Sequence, residues 1–389
     1  MSDYTDVLTN TQTLISFPSV TPDHAGSHAW LIKALKSFDY HCQEINHGDV
    51  SNFLAIPKDG LNNDTILFVG HTDVVPANAD EWQHPPFKAE IKNNILYGRG
   101  AVDMKSSIAA MLAVVAEHHK NNQNPNIAFL ITSNEEGETN FGIEYVLNHH
   151  RNLLGNVKKV LIGEPTSESR VGDTIKVGRR GSLNLKINIY GQAGHVAYPK
   201  QCHNPNDTAI SIMHAVINHT WGKAYPDFDD SKATVVNINS NSDVFNATPS
   251  LCSIKLNWRF NPSLTIDMIK DTISNIIQTH SQHGCQIECL WLNQANPFFN
   301  QSLDFAYQVQ KAIKCESMKQ ASFSTSGGTS DARFFSTTDF ELVELGPRNY
   351  SAHKVDEHIT TEDLYALKAA YQKIALSNVT SCSNQDHLA

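Results

Sequence analysis

Four short apolar runs in this chain lead to a histidine or a carboxylate. They are 65–70 (TILFVG) before His71, 126–134 (NIAFLITSN) before Glu135 and Glu136, 158–163 (KKVLIG) before Glu164, and 340–346 (FELVELG), whose following loop contains His353. Helical segments, such as 103–120, lie between runs of this kind, and the alternation is typical of an α/β sheet. Binding sites in open α/β sheets form at the carboxyl ends of strands. We therefore expect these side chains to meet at one edge of the sheet.

A different pattern begins near Gly181, where apolar and polar side chains alternate as in half-exposed antiparallel strands. The segments of this pattern are strands at 182–191, 233–241, 250–262 and 285–292 and helices at 206–221 and 265–282. They predict a compact α+β module at 181–292. The simplest arrangement inserts this module into a main α/β domain formed by 1–180 and 293–389.

Charge and composition exclude several classes of protein. The formal net charge of −10 argues against a nucleic-acid or anionic-membrane partner. The N-terminus lacks the features of a signal peptide, and no apolar run reaches the roughly 20 residues that span a bilayer. The seven cysteines are scattered and odd in number, which suits a reducing compartment, so we expect a cytoplasmic protein. His118 and His119, at the end of a helical segment, are expected to be solvated.

The ionisable residues at the strand ends form a set that suits metal binding. Asp103 joins them because it stands where an alanine-rich helix begins, although a lone aspartate there is more often a helix cap. The set is His71, Asp103, Glu135, Glu136, Glu164 and His353. Imidazoles with carboxylates suit zinc, with cobalt and manganese as alternatives. Because the set exceeds the needs of one ion, it predicts two ions roughly 3.5–4 Å apart.

Two neighbouring pairs suggest a division of roles. Asp73 follows His71 by two residues, so on an extended backbone both point the same way, which suits a carboxylate that orients the imidazole. The alternative for Asp73 is a turn residue. Glu135 and Glu136 are adjacent and point in different directions. One can therefore bind metal while Glu135, as a general base, accepts a proton from water.

Four motifs in this order resemble the co-catalytic zinc metallopeptidase family of deacylases, aminoacylases and exopeptidases. They are GHTDVVP (70–76), GRGAVDMK (98–105), SNEEGE (133–138) and GEPT (163–166). The resemblance extends over 7–376. It implies an α/β fold with a zinc-peptidase-like mixed sheet and helices on both faces, plus an inserted α+β domain that serves as lid and dimerisation domain.

The resemblance also implies the roles of the metal-site residues. Asp103 bridges two zinc ions per subunit, for which cobalt can substitute. His71 and Glu164 complete one site, and Glu136 and His353 complete the other. Glu135 is the general base. The family forms homodimers, and in this chain His195 and Asn246 would act across the interface on the partner's active site.

Further motifs narrow the resemblance to the branch of this family that removes succinyl groups. They are VGRRGSLNL (177–185), GQAGHVAYP (191–199), STSGGTSDARF (324–334) and HKVDE (353–357). This branch hydrolyses N-succinyl-LL-2,6-diaminopimelate on the bacterial pathway to lysine and peptidoglycan precursors. Arginine forks bind the carboxylates of such a substrate. The residues expected to bind it are Arg179, Ser182, Tyr198, Asn246, Arg259, Thr325 and Gly328, and Arg180 is assigned no role.

The glycine-rich loop at 325–335 is expected to enter a helix, whose first N–H groups would face an anion. A related deacylase, such as an acetylornithine deacetylase, or a dipeptidase needs the same metal ligands, so the ligands do not discriminate. The arginines, the GHVAYP loop and the GGTSD loop favour the succinyl substrate. A non-catalytic metal-binding scaffold would have lost a ligand or the base, and none is missing here.

Overall fold

The computed structural model describes residues 3–137, 141–281, 284–300, 302–314, 320–335 and 340–383. The chain forms two compact units. The first comprises Met1–Val177, Asn300–Ser324 and Ser330–Ala389, and the second comprises Gly178–Phe299 and Thr325–Thr329.

The helices and strands of the described residues are as follows. The helices are α1 Val7–Ser16, α2 Ser27–Lys36, α3 Lys105–Lys120, α4 Ile143–His149, α5 Pro205–Asn218, α6 Ile266–His280, α7 Asp304–Ile313 and α8 Thr361–Ser383. The strands are β1 His41–Glu44, β2 Asn52–Ile56, β3 Ile66–His71, β4 Ile91–Lys92, β5 Ile95–Tyr97, β6 Ile127–Thr132, β7 Lys159–Ile162, β8 Thr174–Lys176, β9 Gly178–Arg179, β10 Gly181–Tyr190, β11 Gly194–His195, β12 Lys232–Ser240, β13 Ala247–Thr248, β14 Leu251–Phe260, β15 Gln286–Ala295, β16 Phe298–Phe299, β17 Ser322–Ser324, β18 Glu341–Glu344 and β19 His358–Thr360.

The first unit is built on an eight-stranded sheet in the order β1-β2-β6-β3-β7-β18-β8-β17. Strand β3 is parallel to both β6 and β7, and β18 is parallel to β7. Strands β1 and β2 run antiparallel at one edge. This mixed sheet confirms the predicted α/β fold class. Because β6, β3, β7 and β18 are parallel neighbours, their carboxyl ends lie at the same edge of the sheet.

Both faces of the central strands are buried, which explains why their sequences are continuously apolar. Ile66 and Phe68 of β3 pack into one large core together with α1, α3 and α8. Leu67 and Val69 point to the other face and are equally buried, outside that core. Full burial of each such side chain stabilises the fold by about 1.5–3 kcal/mol.

The second unit contains a four-stranded antiparallel sheet in the order β12-β14-β10-β15. On β10, Leu183, Leu185, Ile187 and Ile189 alternate with polar residues and pack into the core of this unit, as the sequence pattern predicts. Helices α5 and α6 pack together, and α5 lies against β10, β12 and β14. Trp258 of β14 is the largest of the fully buried side chains among the described residues.

Several local features differ from the sequence predictions. The patterns did not predict α1, α2, β1 or β2. The glycine-rich loop enters a helix, and this helix is a short 3-10 helix, Asp331–Phe335. His118 is buried, with Nε2 3.0 Å from Nε2 of Gln372 on α8, because α8 covers that end of α3.

Some predictions reach residues outside the described ranges, namely Glu138 of the SNEEGE motif and Gln282 of a predicted helix. No helix in the described part of the chain has the length and apolar character needed to cross a bilayer.

Candidate metal centre

The ends of three neighbouring strands bring the predicted ligands together in the first unit. His71 is the last residue of β3, and Glu136 and Glu164 follow the ends of β6 and β7. Within the described residues, three overlapping groups have ligand atoms within 4.8 Å of one another. These groups are His71, Glu135 and Glu136; His71, Asp103 and Glu164; and Asp103, Glu136 and His353. All six predicted side chains therefore meet at one edge of the sheet.

Asp103 lies between two histidines. Its Oδ1 is 3.2 Å from Nε2 of His71, and its Oδ2 is 3.4 Å from Nε2 of His353. His71 Nε2 is also 3.7 Å from Glu164 Oε1, and His353 Nε2 is 2.7 Å from Glu136 Oε1. One carboxylate thus faces two histidine–glutamate pairs with different oxygens. This is the arrangement that a bridging ligand between two cations requires.

The Asp103 carboxylate is free for this role because it does not cap a helix. Helix α3 begins at Lys105, and its N-cap residue, Met104, makes no side-chain capping bond. The helix-cap alternative for Asp103 is therefore wrong. The backbone of Gly100, with φ of +84°, turns the preceding loop, and a Cβ at that position would lie 2.8 Å from Val74 and 2.9 Å from Lys105. Only glycine fits there.

The charges of the cluster fit a metal centre. Four carboxylates around two imidazoles leave an excess of negative charge that bound cations offset. Without cations, protons take that place. Hydrogen bonds with Asp103 and Glu136 raise the pKa of His353 to about 10. Burial opposes protonation of His71, but hydrogen bonds with Asp103 and Asp73 outweigh it and raise its pKa well above the ordinary value.

Glu135 has the environment of a general base. Burial raises its pKa well above the ordinary value; the positive charge of His71 opposes this, and the nearby carboxylates of Asp331 and Glu136 add to it. A carboxylate with a raised pKa accepts and returns a proton more readily near neutral pH. Glu135 shares one ligand group with His71 and Glu136, whereas Glu136 also shares a group with Asp103 and His353.

Asp73 contacts the cluster through both its backbone and its carboxylate. The closest acceptor to Nδ1 of His71 is the backbone carbonyl of Asp73, at 2.9 Å, while its carboxylate is 3.5 Å away. That carboxylate accepts the N–H groups of Glu135 at 3.2 Å and Glu136 at 2.9 Å. Asp73 therefore contacts His71 through both its backbone carbonyl and its carboxylate, and the carboxylate also accepts the backbone N–H groups of the two glutamates.

Two buried carboxylates near the centre were missed by sequence reasoning. Asp331 is 3% exposed, and its Oδ1 has no hydrogen-bond partner among the described residues. Burial raises its pKa to about 7. Glu357 is fully buried and accepts the backbone N–H groups of Val102 and Asp103. Asp331 lies in the motif STSGGTSDARF and Glu357 lies in HKVDE, so their positions in these motifs are the features of the sequence that could have indicated them.

The predicted substrate residues lie in the second unit, outside the three ligand groups. Ser182 of β10 stands directly opposite Arg259 of β14. Burial and the neighbouring charge of Arg180 lower the pKa of Arg259, and its Nη1 is buried without a hydrogen-bond partner in the described part of the chain. Arg180 Nη1 is instead 3.3 Å from Oδ2 of Asp229. Arg259 and Arg180 are therefore neighbouring positive charges, and each has a buried donor, Nη1 of Arg259 and Nε of Arg180, without a hydrogen-bond partner in the described part of the chain. Of the two, Arg180 also forms an ion pair, with Asp229.

Three further predicted substrate residues are Arg179 of β9 and two residues of the glycine-rich loop, Thr325 and Gly328. Arg179 Nη1 donates to the carbonyl oxygen of Gly328 at 3.0 Å. The hydroxyl of Thr325 donates to the carbonyl oxygen of Asp227. These contacts of Arg179 and Thr325 hold the loop within the second unit. The helix that follows the loop is a 3-10 helix of five residues, which is shorter than the α-helices whose N-termini bind anions.

The remaining predicted residues form an exposed group. Strands β11 and β13 pair His195 with Ala247, next to Asn246. The rings of His195 and Tyr198 lie 5.8 Å apart, and Tyr198 is 60% exposed. The backbone N–H of Val196 donates to the carbonyl of Asn246 at 3.0 Å. His195, Tyr198 and Asn246 are therefore brought together on the surface of the second unit.

Comparison with known proteins identifies relatives over almost the whole chain. The profile of peptidase family M20/M25/M40 matches residues 67–377. A succinyl-diaminopimelate desuccinylase of Ehrlichia canis is 38% identical over 378 residues, which is 95% of this chain and 97% of that protein. Proteins of the same name from Methylococcus capsulatus and Alkalilimnicola ehrlichii are 36% and 34% identical, covering 96% and 93% of this chain and 98% and 96% of their own lengths.

Solved structures share the fold at low sequence identity. An M20 family metallo-carboxypeptidase from Sulfolobus solfataricus superimposes with a TM-score of 0.77 at 16% identity, covering 96% of this chain and 99% of that one. A dinuclear metal binding peptidase of the M20 family from Bacillus subtilis gives a TM-score of 0.65 at 13% identity, covering 97% and 98%.

Proposed function

Because this chain belongs to peptidase family M20/M25/M40, we propose that it is a succinyl-diaminopimelate desuccinylase. It would hydrolyse N-succinyl-LL-2,6-diaminopimelate to succinate and LL-2,6-diaminopimelate, in the cytoplasm, as a step of lysine and diaminopimelate biosynthesis. The names of relatives that match nearly the full chain support this substrate. The observation that carries the chemistry is Asp103, whose two oxygens face two histidine–glutamate pairs.

The enzyme is metal-dependent, and the finer proposal is two zinc ions per subunit, with cobalt as a substitute. Asp103 would hold both ions. His71 and Glu164 would complete one site, and Glu136 and His353 the other. When bound, such ions supply Lewis acidity, which lowers the pKa of water and polarises the scissile carbonyl. Nitrogen and carboxylate donors of this kind suit zinc and cobalt.

Glu135 moves the proton in the proposed reaction. It accepts a proton from the attacking water as the new C–O bond forms, and it returns the proton to the amide nitrogen as the C–N bond breaks. The products are then a carboxylate and an amine. The raised pKa of Glu135 supports this double role, since the same group must act first as base and then as acid. Asp73 supports it by fixing the backbone of Glu135.

The residues of the second unit bind the substrate carboxylates in this proposal. Arg259 is the best-supported anchor, because its buried Nη1 has no acceptor among the described residues and its neighbour Arg180 adds positive charge. A substrate carboxylate would accept a charge-assisted hydrogen bond from this donor and would offset the two positive charges. The other proposed contacts are Arg179, Ser182, Tyr198, Asn246, Thr325 and Gly328.

We further propose a homodimer in which 181–292 is the lid and dimerisation domain and 1–180 with 293–389 is the catalytic domain. His195 and Asn246 would act on the partner's active site, where His195 donates to the oxyanion of the tetrahedral intermediate. Their exposure in the single chain supports this role. Light scattering of the purified protein tests the dimer directly.

The substrate is tested by comparing N-succinyl-LL-2,6-diaminopimelate with acetylornithine and a simple dipeptide. The metal-loaded protein should turn over the succinyl substrate with the highest kcat/KM. The succinyl group carries a distal carboxylate that an acetyl group lacks, so an arginine anchor discriminates between them. Faster hydrolysis of acetylornithine or of the dipeptide would overturn the proposed specificity and leave the metal centre intact.

A further inference from the structure

A buried glutamate, Glu357, connects the loops that carry Asp103 and His353. Its Oε1 accepts the backbone N–H groups of Val102 at 2.8 Å and of Asp103 at 3.2 Å. Its Oε2 accepts Nη1 of Arg99 at 2.9 Å. Both carboxylate oxygens are therefore engaged with the segment 99–103. Glu357 itself follows His353 by four residues.

Arg99 ties the same two loops together a second time. Its side chain is buried, 5% exposed, and Nη1 also donates to the carbonyl oxygen of Lys354 at 3.3 Å. The backbone adds a third tie, since the N–H of Gly98 donates to the carbonyl oxygen of Glu357 at 2.8 Å. The guanidinium lies 5.0 Å from the ring centre of Trp82. Arg99 and Glu357 form a buried charge pair, and such a pair resists displacement because moving either partner leaves an uncompensated charge.

The loop of His353 depends on such ties for its shape. His353 has φ of 60° and Asp356 has φ of 54°, a left-handed conformation that residues with a side chain rarely adopt. The carboxylate of Asp356 accepts the N–H groups of Gln83 and His84 at 2.9 and 3.1 Å, and so anchors one side of the loop. Of these two carboxylates, Glu357 is the one that contacts the peptide of Asp103.

We propose that Glu357 is a positioning residue for the metal centre, which holds the bridging carboxylate of Asp103 in register with His353. The inference rests on the proposed function, because it takes Asp103 and His353 as metal ligands. Asp103 must keep one oxygen on the His71 side and the other on the His353 side. Glu357 fixes the peptide from which that carboxylate extends, and Arg99 fixes Glu357.

The test compares Glu357→Gln and Glu357→Asp with the unchanged protein. In Glu357→Gln, the amide group can face either Arg99 or the two N–H groups as an acceptor, and not both. In Glu357→Asp, the charge remains, but the shorter side chain cannot reach both partners. Loss of a partner that orients a metal ligand typically lowers metal affinity or activity about 10- to 100-fold. We expect this loss in affinity for at least one of the two ions, larger for Gln than for Asp.

The readouts are Zn²⁺ affinity by competition with a chelating dye, the visible absorption of the Co²⁺-loaded protein, and kcat and KM separately. Thermal unfolding of the metal-free variants shows whether each folds, and Glu357→Asp carries the test where Glu357→Gln does not fold. The matched control is Asp173→Asn. Asp173 also fixes a loop by accepting the N–H groups of Glu168, Ser169 and Arg170, and among the described residues its hydrogen bonds join it to none of the six metal-site residues.

A positioning role predicts weaker metal binding, an altered Co²⁺ spectrum and a lower kcat with little change in KM for the Glu357 variants. Asp173→Asn should change stability alone. If folded Glu357→Asp binds both ions with unchanged affinity and spectrum, the inference is wrong. Failure of the proposed function gives a different result, because the unchanged protein would then bind fewer than two ions or would not cleave the succinyl amide.

Discussion

The two units of the molecule hold their proposed functional residues in opposite states. In the first unit, Asp103, His71 and His353 lie against one another, and buried groups such as Glu357 fix the loops that carry them. In the second unit, His195 is exposed and Arg259 has a buried donor without an acceptor among the described residues. We infer that the fold of the first unit, within a single chain, is sufficient to preorganise the metal centre. In the proposed function, the residues of the second unit are completed by substrate or by a second copy of the chain.

The largest expected effect separates the two adjacent glutamates of the first unit. Glu135→Gln should lower kcat about 10²- to 10⁴-fold, because a positioned general base contributes about that much. Its metal content should stay unchanged. Glu136→Gln is the matched control, and it should lose metal because Glu136 lies 2.7 Å from Nε2 of His353. Metal analysis beside steady-state kinetics checks both. Full turnover by Glu135→Gln would disprove the proposed base.

A second substitution tests the exposed histidine of the second unit, His195. His195→Ala should lower kcat about 10²- to 10³-fold, the usual cost of losing one oxyanion donor. Metal content should not change, because His195 is not part of a metal-ligand group in the described residues. Exchange of subunits between His195→Ala and Glu135→Gln proteins sharpens the test. Mixed dimers should regain part of the activity if His195 acts across the interface, and none if it acts within its own chain.

Lower pH should weaken metal binding to the first unit. In the metal-free protein the pKa of His353 is raised to about 10, and that of His71 is raised as well. Imidazole ligands must be neutral, so binding displaces these protons at every pH below those values. Affinity should therefore rise with pH, by about tenfold per unit for each proton displaced. Titration of Zn²⁺ between about pH 6 and 8 measures the slope. A flat profile would contradict the assignment of both histidines as ligands.

The smallest expected effect distinguishes two neighbouring arginines of the second unit. Arg259→Ala should raise KM about tenfold or more, because charge-assisted hydrogen bonds are worth about 1.5–3 kcal/mol. Arg180→Ala should change KM less, because Arg180 already pairs with Asp229. Steady-state kinetics with the succinyl substrate compares them. Equal effects of the two substitutions would show that the unsatisfied donor of Arg259 does not mark the anchor.

The sequence predicted which side chains meet at this edge of the sheet because the pattern that places them is local. Each ligand at a strand end follows an apolar run, and parallel strands bring those ends together. The fixing contacts depend on distant segments. Glu357 meets Val102, which is 255 residues away in the chain, and the carboxylate of Asp73 accepts the backbone N–H groups of Glu135 and Glu136 in addition to pairing with the imidazole of His71. No periodicity or spacing encodes such pairs.

The irregular regions were predicted less well for a related reason. The 3-10 helix Asp331–Phe335 and the buried state of His118 depend on which element covers them. Local propensity gives weak signals there, because tertiary packing overrides it. The alternating strands of the second unit were easier, since one buried face leaves a period of two in the sequence.

The central claim is that Asp103 bridges two metal ions. A crystal of the zinc-loaded protein, measured above and below the zinc absorption edge, tests it most directly. The account predicts two anomalous peaks roughly 3.5–4 Å apart, each within bonding distance of a different carboxylate oxygen of Asp103. One peak should lie beside His71 and Glu164, and the other beside His353 and Glu136. A single peak, or two peaks of which neither contacts Asp103, would contradict the account.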